Sequence, residues 1–163
     1  MKSIRLVSVI GGSECSQAQA SFAEKAGSLI AEAGFGIVCG GRSGVMEAVC
    51  RGAWQAEGFT MGILPSLGTG GANPFLTIAL PTGLNEARNV LVVLAGEAIL
   101  AIGGGFGTLT EIGHAIRMGK PVVGYQTWEG CASEVGELPI HRVKSPEQAV
   151  SILKNLLEIE PQE

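Results

Sequence analysis

Three times in this chain an apolar run ends on glycines and passes into an amphipathic stretch: Ile4–Ile10 into Gly11-Gly12, Phe35–Cys39 into Gly40-Gly41, and Ala98–Ile102 into Gly103-Gly104-Gly105-Phe106-Gly107-Thr108. Short apolar runs bounded by glycine read as buried strands, and strands alternating with helical stretches read as βαβ units. The expected class is α/β, with a mostly parallel sheet covered by helices on both faces in three layers. In such a sheet all three turns lie at the carboxyl edge, where open α/β folds take their ligands. Glycine lets backbone N–H groups approach an anion closely, and the helix that follows adds its positive end. The 25 glycines show no regular period, so they serve local backbone geometry rather than a repeat.

The remaining elements follow the same pattern. Ser16–Ala33 predicts a helix opening with a Ser16-x-x-Gln19 capping box, and Gly44–Glu57 a second helix. Thr60–Leu64 predicts a strand, Pro65–Pro74 a glycine-rich loop, and Leu76–Leu80 a short extended piece. A helix is expected from about Leu84 to Ala95, although the β-branched run in Val90–Leu94 suits a strand as well. Thr108–Met118 reads as helix, Pro121–Tyr125 as strand, Trp128–Pro139 as loop, and Ile140–Val143 as an edge strand. Ser145-Pro146 starts a last helix, with Ser as cap and Pro at the first helical position. No repeat or linker interrupts the chain, so one phosphate- or nucleotide-binding domain is expected over 1–163.

Charge narrows the partners. The net charge is −4 and no lysine or arginine run exists, which disfavours a nucleic-acid surface. No run is long enough for a signal peptide or a membrane span, and the four cysteines contain no CxxC pair. A cytoplasmic protein with reduced thiols is expected. A phosphate-loop NTPase needs Gly-Lys-Ser/Thr, whereas Gly119-Lys120 runs into Pro121. A dinucleotide fingerprint needs a third glycine where Thr108 stands, and no acidic residue follows Gly124-Tyr125-Gln126, so NAD is not expected. No lysine is set up for a pyridoxal Schiff base, and Glu111-x-x-His114 lacks a second such pair, so neither PLP nor a protein-ligated metal is expected.

Two side chains carry the chemistry. Thr108 and Glu111 have the spacing of a capping box, so Glu111 either caps the helix or presents a carboxylate to ligand beside the phosphate turn. Arg88 falls on the expected apolar face of Leu84, Ala87, Leu91, Leu94 and Ala95. A charge there needs a buried carboxylate, an oligomer interface or a ligand.

Gly104-Gly105-Phe106-Gly107-Thr108-Leu109-Thr110-Glu111 resembles the PGGxGTxxE signature of the Lonely Guy family, and Arg88 resembles the arginine of its second motif. Gly40–Glu47, Gly62-Ile63-Leu64-Pro65 and Thr82–Asn89 look like the shorter subgroup that includes the molybdenum cofactor carriers, distant relatives of the DNA-processing DprA fold. Two positions depart from the enzymes: Gly103 replaces proline and Asn89 replaces lysine. The resemblance implies a Rossmann-like fold, assembled as homo-dimers or homo-tetramers, that binds a phosphorylated small molecule. The implied ligand is molybdopterin held by a carrier, or a nucleoside monophosphate cleaved by a phosphoribohydrolase to base and ribose 5-phosphate. Expected ligand residues are Gly11, Gly12, Ser13, Gly40, Gly41, Arg42, Ser43, Gly103, Gly104, Gly105, Phe106, Gly107 and Thr108. Arg88 and Glu111 would form the catalytic pair of a hydrolase.

Overall fold

A computed structural model describes residues 3–158 except residue 135. The outermost residues of the expected 1–163 domain, and residue 135 of the expected 128–139 loop, lie outside the described residues.

Seven strands form one sheet in the order β4-β3-β2-β1-β5-β6-β9, every neighbouring pair parallel. They are β1 (Leu6–Gly11), β2 (Gly36–Cys39), β3 (Thr60–Leu64), β4 (Ile78–Pro81), β5 (Ala98–Ile102), β6 (Val122–Tyr125) and β9 (Ile140–Arg142). Their crossovers are the helices α1 (Gln17–Glu32), α2 (Val45–Gln55), α3 (Asn89–Ala95) and α4 (Phe106–Arg117), and α5 (Pro146–Glu158) follows the last strand. One apolar cluster joins Val7, Val9, Leu100 and Ile102 to α1, α2 and α5; the other joins Ile10, Ile99 and Ala101 to α3 and α4. This is the Rossmann-like three-layer fold expected. Every residue of β5 is buried, as a strand covered on both faces must be. Ser8 in the neighbouring central strand is satisfied by donating from its hydroxyl to Val92 O at 2.6 Å.

Local signals held where one side chain decides the geometry. The Ser16 hydroxyl accepts from Gln19 N and Gln19 Oε1 accepts from Ser16 N, completing the capping box. Ser145 accepts from Gln148 N ahead of Pro146.

Three expectations need correction. The segment 84–95 is not one helix: Asn85–Arg88 is a 3-10 turn, and α3 begins only at Asn89. Gly83 and Asn85 take left-handed backbone (φ 67° and 49°), which no α-helix accommodates. The changed register keeps Arg88 inward as expected, brings Asn89, Val92 and Val93 in beside it, and leaves Leu84, Ala87, Leu94 and Ala95 exposed. Second, α4 starts at Phe106 rather than Thr108. Third, the expected loop after Trp128 contains a small antiparallel hairpin, β7 (Cys131–Ala132) with β8 (Gly136–Glu137), too short to leave a periodic trace.

Candidate functional site

With β1 flanked by β2 on one side and β5 on the other, the three glycine turns leave the sheet side by side. The crossovers run to opposite faces at this point, α1 and α2 to one and α4 to the other, which opens a crevice at the carboxyl ends of the strands. A cavity of about 230 Å³ occupies it. Of the expected ligand residues, Gly11, Gly12, Ser13, Gly40, Arg42, Gly105, Gly107 and Thr108 line this cavity, together with Arg88 and Glu111. Gly41, Ser43, Gly103, Gly104 and Phe106 do not form its walls. Ser43 instead ties two turns together, its hydroxyl donating to Ser13 O at 3.0 Å. Phe106 stands 78% exposed against Trp128, whose indole N–H donates to Gly105 O at 3.0 Å.

The third turn is built by consecutive left-handed glycines, Gly103 at φ 55° and Gly104 at φ 103°. Proline, locked near φ −65°, cannot stand at residue 103 in this conformation, so the turn differs there from one built on the Lonely Guy signature. Gly105 is the N-cap of α4 and supplies no side chain to its first turn. Thr108 is the third helical residue and Glu111 lies one turn further in, so the capping box that their spacing allowed does not form. Among the described residues, no acceptor takes the N–H groups of residues 104–108. Such a row at a helix N-terminus is a binding surface for an oxyanion.

Arg88 and Glu111 face the same cavity, each only 7% exposed. Arg88 donates from Nη1 to Ile63 O at 2.9 Å, while its buried Nε has no acceptor. Burial lowers the guanidinium pKa, an effect that Glu111 and Glu86 oppose. Burial pushes the Glu111 carboxyl up to about 7, outweighing the pull of Arg88 in the other direction. The two form no contact ion pair, so both keep hydrogen-bonding capacity turned toward the cavity. A carboxyl that titrates near neutrality beside a fixed cation can accept or deliver a proton.

Sequence reasoning missed Glu86, Asn89 and Met46 as cavity residues. Asn89 had a signal, as the neighbour of Arg88 and a departure from the enzymes' lysine. Glu86 and Met46 had none, since the 3-10 turn and the packing of α2 put them there. His114, an unassigned helix residue, is exposed. Asn73 is buried and pins the loop against the second turn, donating from Nδ2 to Arg42 O and accepting from Phe75 N. Among the described residues no three His, Cys, Asp or Glu side chains gather as a metal would require, and no helix is long and apolar enough to cross a membrane.

The fold and crevice define a class of small-molecule-binding α/β proteins. Residues 4–154 match the SLOG cluster4 family, and this chain belongs to that family. The molybdenum cofactor binding protein of Rippkaea orientalis is 32% identical, with a TM-score of 0.87 over 96% of this chain and 99% of that one. The molybdenum cofactor carrier protein of Chlamydomonas reinhardtii is 28% identical, with a TM-score of 0.81 over 96% and 99%. An uncharacterized protein of Archaeoglobus fulgidus is 40% identical over 116 residues, 71% of this chain and 76% of its own.

Proposed function

We propose that this protein binds a phosphorylated heterocycle at the rim of its sheet, as a carrier or storage protein of the molybdenum cofactor type. The observation that carries the reading is the row of N–H groups at residues 104–108, left without protein acceptors at the start of α4 beside the cavity. The terminal phosphate of molybdopterin is a doubly charged oxygen cluster that such a row complements. Arg88 adds a fixed positive charge, and Ser13 and Arg42 line the rim. At about 230 Å³ the cavity is smaller than the ~300–1,000 Å³ usual for an enclosed ligand, so the phosphate end is held and the ring extends outward. A homo-oligomer is part of the proposal, because Ile78, Leu80, Leu84 and Leu94 are all more than 40% exposed. Light scattering on the purified protein tests it, and a monomer at all concentrations removes it.

One observation favours a second reading, a phosphoribohydrolase acting on nucleoside monophosphates. Glu111, titrating near 7 beside Arg88, suits proton transfer or stabilisation of the cationic sugar formed when a glycosidic bond breaks. Incubation with AMP followed by chromatography separates the readings. Release of free base that stops in Glu111→Gln overturns the carrier assignment. Binding of molybdopterin with protection from oxidation, and no base released from any monophosphate, overturns the hydrolase.

A further inference from the structure

We infer that Asn89 contacts the ligand directly, reading an uncharged hydrogen-bonding group close behind the phosphate, so that the site selects a phosphomonoester of a polar skeleton over free phosphate or a diphosphate. This rests on the phosphate reading of residues 104–108.

Asn89 is 8% exposed and lines the cavity; its carboxamide bonds no protein group and is not sealed from solvent, so it opens onto the cavity. A carboxamide held in a mostly buried side chain and open only toward the cavity keeps its donors and acceptor for a ligand there. It is not a helix cap: Arg88 occupies the N-cap position of α3, and no side chain bonds the first turn. Its place is set by the 3-10 turn, which swings the start of α3 toward α4. A Cβ on Gly107 would stand 3.8 Å from Asn89 Nδ2, which puts the amide beside the turn that takes the phosphate.

The neighbours decide what it reads. Glu86 and Glu111 share the cavity wall with it, opposite in charge to the Arg42 and Arg88 that line the same cavity, and both act electrostatically on Arg88. The two carboxyl groups offset the two guanidinium charges and leave no spare cation for a second phosphate, whereas a hydroxyl or ring N–H meets groups able to accept or donate. A lysine at this position would supply a cation for a further anion. Asparagine supplies a neutral donor and acceptor instead.

Titration calorimetry with inorganic phosphate, pyrophosphate and ribose 5-phosphate tests the inference. The wild-type protein should bind ribose 5-phosphate about tenfold more tightly than the other two, and Asn89→Ala should remove that margin while changing the phosphate affinity less than about twofold. Equal losses for phosphate and ribose 5-phosphate would make Asn89 a support of the turn and overturn the inference, as would no change for either. Should Asn89→Ala fail to fold, Asn89→Asp keeps the shape and adds a charge. With a wild-type melting temperature it should lose ribose 5-phosphate by more than about tenfold, and unchanged affinity overturns the inference. If the wild-type protein binds none of the three probes, the phosphate reading itself fails and takes this inference with it; a flat response to Asn89 substitution alone leaves that reading standing.

Discussion

The turn after β2 and the turn after β5 both end buried strands on glycine, and the protein uses those glycines in different ways. Around the second turn the Gly41 backbone and the first N–H of α2 are taken up internally. Gly41 N–H donates to Cys39 Sγ, Gly41 O accepts from Asn73 N, and Val45 N–H donates to Gly12 O. Its glycines are there for space: a Cβ on Gly40 would lie 2.1 Å from Arg88 Nη1. In the third turn Gly104 to Gly107 are exposed, and a Cβ on Gly105 would meet nothing within 4 Å. Glycine therefore serves as a packing device in one turn and opens a donor surface in the other. What separates them is the space before the backbone, filled by Arg88 and Leu64 at Gly40 and Gly41 and open at Gly105.

The sharpest break of this comparison is a bulky residue in each turn. Gly40→Val should displace the buried Arg88 and destabilise by about 3 kcal/mol or more, lowering the melting temperature by roughly 10 °C and abolishing ligand binding. A wild-type melting curve would show that the second turn is not packed as described.

Next in size is the pH dependence of Glu111. Its folded pKa, near 7, lies above the ordinary value of 4.5, so the native state holds its proton more tightly than the unfolded chain. That contribution is full below about pH 4.5, falls as pH rises to about 7, and is absent above it. The loss amounts to about 3 kcal/mol at most. Thermal unfolding between pH 4.5 and 8 should therefore show a slope that Glu111→Gln flattens, and an identical slope in the variant would reassign the titration.

Gly107→Val probes the open turn. Its side chain points at the ligand site, so phosphate affinity should fall about tenfold or more while stability stays within about 0.5 kcal/mol of wild type. A fall in stability with intact binding would reverse the roles given to the two turns. The smallest effect is expected of Ser43→Ala, which removes one partly solvated bond between the first and second turns. About 0.5–1 kcal/mol should be lost in chemical denaturation, with ligand affinity nearly unchanged.

Much of this organisation was legible in the chain. The strands announced themselves because burial on both faces demands continuous apolar runs, and the Ser16 and Ser145 starts because each rests on contacts a few residues apart. Segment 84–95 misled for the opposite reason. Helical periodicity put Leu84, Leu91 and Leu94 on the inner face with Arg88, but one left-handed residue at Asn85 changed the phase, so that Asn89 joined Arg88 inside while Leu84 and Leu94 turned outward. Thr108 and Glu111 misled through a spacing that two different structures share. The helix began two residues earlier, at a glycine with no side chain to cap it.

Sequence by itself determined the parallel α/β sheet, the three glycine turns on one edge, and the candidacy of Arg88 and Glu111, all of which follow from local pattern and strand periodicity. Tertiary structure alone decided which turn lies open and which is packed against Arg88, that Arg88 and Glu111 share a cavity without pairing, and that Asn89 joins them. Those outcomes depend on groups far apart in the chain meeting, or failing to meet, across space, and no periodicity encodes that.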